Sequence, residues 1–232
     1  MNVEYKKINC WTLLKSEDDQ PMLQFAEKND FSSDKWQNGF FDRIFNHLYK
    51  KKSFETAIDI GASYGWVTIP LARKFKNIHS FEVRDDVRSA LAKNIENVLS
   101  NEKVDSSIHI HNFGLGDSDQ KVSVAMNPKS GLSSIKDSSA SKFPINQFEI
   151  KSLDSINIKK VDLIKIDVEG FEYNVLKGCQ KTIKKYRPFL IVEMNTGRSE
   201  IEFKNRQKCL EFLFNFGYKV IDVSNNDWFL SA

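Results

Sequence analysis

The residues of this chain that could do chemistry fall in three short stretches. They are Asp59-Ile-Gly61-Ala62-Ser63-Tyr64-Gly65, the single acid Glu82, and Lys165-Ile-Asp167-Val-Glu169. Gly61 and Gly65 carry no Cβ, so the backbone there can take positive φ and come close to a ligand. A helix beginning near Gly65 would aim free N–H groups at whatever fills the turn. The dinucleotide fingerprint G-x-G-x-x-G is not what stands here. The pattern is D-x-G-x-S-x-G, with the Asp59 carboxylate ahead of the first glycine. A carboxylate at that point repels a pyrophosphate but suits a ligand with a cationic amine or sulfonium. Glu82 stands about twenty residues further on, where an acid can accept both hydroxyls of a ribose. A cationic group joined to a ribose describes S-adenosylmethionine. On these residues alone a dinucleotide and an ordinary tight turn stay open.

Lys165 and Asp167 are two apart on a strand-like run, Val161 to Asp167, and so share one face. Asp167 ends that run, with Glu169 in the loop behind it. They suit a reacting centre, or a buried pair that fixes the loop. The turn Gly114-Leu115-Gly-Asp117 also follows a strand, where open α/β sheets bind ligands, and is a place for adenine contacts. His109 and His111 share one face of that strand, but the sequence offers no third ligand at a telling spacing, so they read as structural or exposed. Trp36 and Phe40 read as helix packing or as part of a lid.

Regular elements must position these residues. Thr56 to Ile60 is an apolar run closed by turn residues, which suits a buried parallel strand. Ile78 to Glu82, Ser106 to Phe113, Val161 to Asp167 and Phe189 to Glu193 read the same way. Helical spacing runs over Gly39 to Lys50, Val87 to Leu99, Glu172 to Tyr186 and Ile201 to Phe216. Lys121 to Met126 and Gln147 to Leu153 form an antiparallel excursion whose tip, Lys129 to Ser141, is rich in serine. Gly217 to Leu230 closes the chain as a hairpin around an Asn-rich turn. Strands alternating with helices and ending in a hairpin make an α/β doubly wound sheet with an antiparallel last strand. The expected organisation is an N-terminal helical segment or lid over 1–53 and a main domain over 54–232, with a β excursion inserted near 121–151.

With 232 residues, 41% hydrophobic and 28% charged, the chain has enough material for one such domain with a full core. Its net charge of +3 lacks the concentrated basic face of a nucleic-acid binder. Cys10, Cys179 and Cys209 are far apart and odd in number, which fits a reducing compartment without a disulfide framework or zinc spacing. No apolar run approaches membrane-spanning length, and the first residues lack a signal core. The expectation is a cytoplasmic protein without a membrane partner.

The segment Asp162-Leu-Ile-Lys-Ile-Asp-Val-Glu-Gly-Phe-Glu172, then Val175-Leu176-Lys177-Gly178, then Arg187-Pro188 ahead of Ile191-Val192-Glu193, resembles the FkbM family of S-adenosylmethionine-dependent methyltransferases. That family shows "DLIKIDVEGAE", "VL-x-G" and "RP" before a strand ending in an acid. Asp59-Ile-Gly-Ala-Ser-Tyr-Gly-Trp66 is similar to its "DVGANIGY", with Ser63 for asparagine. Phe81-Glu82-Val83 is similar to its "FEP", Gly114 to Asp117 to "ALGD", and Ser152 to Ser155 to "TLDSL". The likeness spans about residues 54 to 195.

The resemblance implies a Rossmann-like class I methyltransferase: a doubly wound, mostly parallel seven-stranded sheet that binds S-adenosylmethionine. It implies methyl transfer, usually to a hydroxyl oxygen, on a sugar, glycan or small metabolite. Asp59, Gly61, Ala62, Ser63, Tyr64 and Gly65 would hold the methionine end, Glu82 the ribose, and Gly114 and Leu115 the adenine. Asp167, Glu169 and Lys165 would be catalytic, Asp167 also meeting the cofactor. Asp167 with Glu193 and Asn195 looks like the magnesium site of catechol-type O-methyltransferases, yet acids at strand tips are common without metal, and none is expected. A NAD-binding oxidoreductase and a non-catalytic interaction module of the same fold are the competing readings.

Overall fold

The computed structural model describes residues 4–14, 26–27, 39–51, 53–100, 102–126, 144–194 and 200–232. Its first elements are a hairpin, β1 (Tyr5–Ile8) and β2 (Trp11–Leu14), and the helix α1 (Phe40–Lys51). Next come β3 (Thr56–Ile60), α2 (Thr68–Ala72), β4 (Asn77–Phe81), α3 (Asp85–Leu99) and β5 (Ser107–His111). The excursion contributes β6 (Gly114–Leu115), β7 (Gln120–Ala125) and β8 (Ile145–Lys151). The second half runs β9 (Val161–Ile166), α4 (Glu172–Gly178), α5 (Gln180–Tyr186), β10 (Phe189–Glu193), α6 (Glu200–Asn215), β11 (Lys219–Ser224) and β12 (Asp227–Ser231).

Seven strands form the main sheet in the order β11-β12-β10-β9-β3-β4-β5. All pairings from β10 to β5 are parallel, and β12 runs antiparallel to both β10 and β11. The chain leaves β3 toward β4 and β5, then crosses back to β9 and β10. The carboxyl ends of β3 and β9 therefore flank the switch point at which such sheets hold ligands. All five residues of β3 are buried because both faces of the sheet are covered. Ile58, Ile60, Ile164 and Ile166 pack toward Val175, Leu176 and Ile183 of α4 and α5. Ala57, Leu163 and Ile191 pack toward Phe40, Ile44 and Leu48 of α1 and toward Leu71 of α2.

Three elements differ from the expectation. The helix over Glu172 to Tyr186 is two helices that meet at Cys179. A Cβ on Gly178 would sit 1.8 Å from the Gly116 carbonyl oxygen, so the chain is drawn tight against the excursion there. Asp154 then caps the new helix, accepting from the Lys181 and Thr182 N–H groups at 2.7 and 2.8 Å. Second, residues 5–14 form a hairpin turning at Asn9 (φ 53) rather than part of a helix. All four residues of β2 are buried, and the Trp11 ring meets Trp66 with centroids 3.7 Å apart. The hairpin thus belongs to the same core as the turn after β3. Third, the helix after that turn begins at Thr68 rather than near Gly65, although the Ile69 N–H already donates to the Gly65 carbonyl at 3.0 Å. Trp36, Asn195 and the excursion tip from Lys129 to Ser141 lie outside the described residues. No helix among the described residues is long and apolar enough to cross a membrane.

Candidate active site

The turn after β3 is built by backbone contacts that only certain residues allow. Gly61 (φ 79) and Gly65 (φ 96) take left-handed conformations, and so does Ser63 (φ 49). A Cβ on Gly61 would come within 1.8 Å of the Asp167 carbonyl oxygen, so glycine is what lets the β3 turn touch the loop after β9. The Gly61 and Ala62 N–H groups both donate to the Phe81 carbonyl at 3.0 Å, and the Asp167 N–H donates to Ile60 at 3.0 Å. Three strand ends are thereby stitched into one rim.

Two cavities open at this rim and share Gly61, Ser63, Trp66 and Asp167. The larger, about 260 Å³, lies between the β3 turn, Phe81 to Arg84, Gly114 and Leu115, and the excursion residues Val124, Phe148 and Ile150. The smaller, about 180 Å³, lies toward α1. Its apolar wall is Phe40, Phe41, Trp66, Val67 and Ile191, and its polar wall is Lys165, Asp167, Glu193 and Asp227.

Of the residues singled out in the sequence, Gly61, Ser63, Glu82, Gly114, Leu115, Asp167 and Glu169 line the larger cavity. Ala62 and Lys165 line the smaller one. Asp59, Tyr64 and Gly65 line neither. Asp59 is fully buried beneath the turn, where its Oδ2 accepts from the Thr68 hydroxyl at 2.6 Å. Tyr64 is buried as well, and its carbonyl accepts from Asn94 Nδ2 at 2.9 Å. Gly65 packs against Leu91 of α3.

Glu82 is fixed from both sides. One carboxylate oxygen accepts from the Ser63 N–H at 3.0 Å, the other from the Arg84 N–H at 2.9 Å. Burial pushes its carboxyl above the ordinary range, and those two hydrogen bonds oppose the rise. Each oxygen can accept a further hydrogen bond, and Glu82 lines the cavity. The Ser63 hydroxyl is buried and meets no hydrogen-bond partner among the described residues. A buried hydroxyl of that kind calls for a partner, and a ligand in the cavity would supply one.

Between the cavities lies a charge cluster. Lys165 Nζ is 2.9 Å from Asp167 Oδ2, 3.3 Å from the Gly61 carbonyl oxygen and 3.8 Å from Asp59 Oδ1. Burial disfavours the Lys165 ammonium, but Asp167 and Asp59 overcompensate and hold it firmly protonated. Burial likewise works to raise Asp167, and Lys165 with the Glu193 hydrogen bond brings it below the usual carboxylate range. Glu193 moves the other way, raised by burial and by the Asp167 charge. The two shifts oppose each other, favouring the charged form of Asp167 and the neutral form of Glu193, and Glu193 Oε2 is buried without a hydrogen-bond partner among the described residues.

Asp167, Glu169 and Glu193 each bring a carboxylate oxygen within 4.8 Å of the others, a donor set that a hard cation would accept. The Lys165 ammonium already pairs with the first of them.

Sequence reasoning missed several parts of this site. Asp227 faces the smaller cavity because the antiparallel pairing sets it beside Glu193. Glu172, only 3% exposed, accepts from the Gly170 N–H at 2.8 Å and from Asn205 Nδ2 at 2.7 Å, bracing the loop that carries Asp167 and Glu169. Asn94, fully buried on α3, ties the turn to the hairpin through the Thr12 N–H at 2.6 Å. An acid closing the Ile-Asp-Val-Glu-Gly-Phe-Glu run was the visible signal for Glu172. The other two had none.

The family model described as "Methyltransferase FkbM domain" matches residues 59–220. Among solved structures, the chain is similar to the methyltransferase FkbM from Methylobacillus flagellatus KT, at 19% identity and a TM-score of 0.53, over 77% of this chain and 43% of that one. It is also similar to monomeric WbdD, at 10% identity and a TM-score of 0.51, over 93% of this chain and 44% of that one. The chain thus spans less than half the length of either, and these identities show a shared fold. No curated protein matches the chain in sequence.

Proposed function

The chain belongs to the FkbM methyltransferase family, and on that premise we propose that it transfers the methyl group of S-adenosylmethionine to a hydroxyl oxygen of a sugar or small metabolite. The observation that carries this reading is the pair of cavities meeting at Asp167. One suits a nucleoside with a charged tail, the other a small acceptor, and a reacting atom in each would face the same carboxylate.

In the larger cavity the orphaned Ser63 hydroxyl and Gly61 would hold the amino-acid end of the cofactor, and Glu82 its ribose. Phe81, Val83, Leu115 and Phe171 offer the apolar slot that an adenine ring needs. Once bound, the cofactor supplies an electrophilic methyl group that needs no further activation. What remains for the protein is alignment of the acceptor, which supplies much of the rate, and removal of one proton.

Asp167 is placed for the second task. Lys165 keeps it ionised, and a hydrogen bond with Glu193 works in the same direction. As the acceptor oxygen bonds to carbon its proton becomes acidic and passes to the Asp167 carboxylate. Glu169, at the mouth of the larger cavity, stands in reach of the same centre. Phe40, Phe41 and Trp66 give the smaller cavity a flat apolar wall opposite three acids, which suits a ring with hydroxyls on its edge.

Calorimetry with S-adenosylhomocysteine and with NAD, followed by transfer from labelled S-adenosylmethionine to a panel of glycans and hydroxylated metabolites, tests the proposal. Binding of S-adenosylhomocysteine and a labelled O-methyl product are expected. Binding of NAD in its place would return the chain to the oxidoreductase reading. Cofactor binding without transfer to any acceptor would favour an interaction module.

A further inference from the structure

The outer end of the sheet carries an arrangement that methyl transfer does not use. Three of the four histidines in the chain meet there: His79 on β4, and His109 and His111 on the edge strand β5. Parallel pairing sets His79 beside His109 and Phe81 beside His111, so strand alternation brings all three imidazoles to one face. His79 Nδ1 lies 3.0 Å from His111 Nε2. The His79 and His109 rings stack with centroids 4.8 Å apart. His109 is exposed, and its Nε2 meets the Ser107 hydroxyl at 3.1 Å. None of the three side chains pairs with a carboxylate among the described residues.

We propose that His79, His111 and His109 form a surface site for a borderline transition-metal ion of the zinc, nickel or copper kind. Imidazole nitrogens without carboxylates are the donors such ions select, whereas calcium and magnesium take oxygen. Two nitrogens bound tetrahedrally to one zinc at about 2.0–2.1 Å lie about 3.3–3.4 Å apart. As they stand the His79 and His111 nitrogens share a hydrogen bond at 3.0 Å, and a metal ion would replace its proton and spread them by a few tenths of an ångström. His109 is exposed, and it would supply the third nitrogen by turning away from its hydrogen bond with Ser107, with water completing the shell. His111 also stacks on Phe81, centroids 4.3 Å apart, and Phe81 lines the larger cavity. The ion would sit one ring away from the nucleoside slot.

Titration calorimetry of the intact chain with zinc chloride, and separately with nickel chloride, tests this site. One saturable equivalent is expected. His79→Gln and His111→Gln should each weaken it by about tenfold or more, since even groups that merely orient a ligand are worth that much. His109→Gln should weaken it less, and His47→Gln, on α1, should leave it unchanged. Wild-type protein that binds neither ion, or a folded His79→Gln/His111→Gln double variant that binds as wild type, overturns the proposal. A second measurement needs no variant: in imidazole-selective NMR of the wild-type protein, zinc should shift the His79, His109 and His111 signals and spare His47. Shifts that leave out His79 and His111 would place the ion elsewhere and overturn it as well.

Discussion

Lys165 on β9 and Asp167, the residue just past its end, join Nζ to Oδ2 at 2.9 Å, and the same ammonium reaches back to the Gly61 carbonyl oxygen at 3.3 Å. One buried cation therefore orders both the cofactor turn and the acid at the centre of the site. Lys165→Met should leave Asp167 without its counter-charge and the turn without its tie. The Lys165 side chain is 6% exposed and that of Asp167 34%, so the loss falls below that of a fully buried pair. We expect about 2–3 kcal/mol, against about 3–5 for complete burial. Chemical denaturation measures it, and the double change Lys165→Met/Asp167→Asn should recover part. A loss under about 1 kcal/mol, as for a surface pair, would mean that the ion pair does not hold the loop.

Glu82 supports the cofactor in two ways, as an acceptor for a ribose and as the anchor of the Ser63 and Arg84 N–H groups. Glu82→Ala removes both and should weaken S-adenosylhomocysteine binding by about 1.5–3 kcal/mol, the worth of hydrogen bonds to a charged group. Glu82→Gln keeps an acceptor for one N–H and should lie between. Calorimetry that finds all three proteins alike would take Glu82 out of the cofactor site.

Much of this was legible because the strands are buried on both faces. Thr56 to Ile60 and Val161 to Ile166 are mostly apolar, so the acids and glycines in and just after them stood out. What the sequence hid were relationships set by pairing across long separations. Asp227 meets Glu193 only through the register of β12 on β10. His79 joins His109 and His111 only because β4 and β5 are neighbours, and a search for spacing along one strand cannot find it. Asp59 showed the limit of the opposite inference. Its position ahead of Gly61 suggested a ligand contact, but strand alternation carries its side chain inward to Thr68. The break at Cys179 was invisible for the same reason, since it depends on the distant Gly116 backbone pressing on Gly178.

Glu193 gives the site a pH signature in stability. Burial and the Asp167 charge push its carboxyl from an ordinary 4.5 up to about 10. A carboxyl raised on folding contributes stability that is full below the unfolded pKa and is lost as pH rises toward the folded one. Wild-type protein should therefore lose stability from about pH 5 upward through this group. Glu193→Gln stays neutral throughout. Its melting temperature should match the wild type near pH 4 and exceed it increasingly toward pH 9. Parallel curves across that range would show that Glu193 does not hold its proton.

The division of labour between the two cavities is testable at Phe41, which lines the smaller cavity but not the larger and is only 5% exposed. Phe41→Trp adds volume on the apolar wall opposite Asp167, Glu193 and Asp227. Overpacking of this kind costs about 1–3 kcal/mol of stability, which leaves a folded protein to assay if melting confirms it. Because Glu82 and the apolar slot proposed for the adenine lie in the larger cavity, which Phe41 does not line, the affinity for S-adenosylhomocysteine should stay within about twofold of wild type, or about 0.4 kcal/mol. The acceptor, in contrast, must share its space with a larger ring. With the acceptor found by the transfer screen, kcat/KM should fall by about tenfold or more, which is about 1.4 kcal/mol of transition-state stabilisation. The fall should come through KM if the added ring only obstructs binding, and through kcat if it tilts the hydroxyl away from Asp167. Equal losses in cofactor affinity and transfer would mean that the two cavities act as one. An unchanged kcat/KM would move the acceptor out of the smaller cavity altogether.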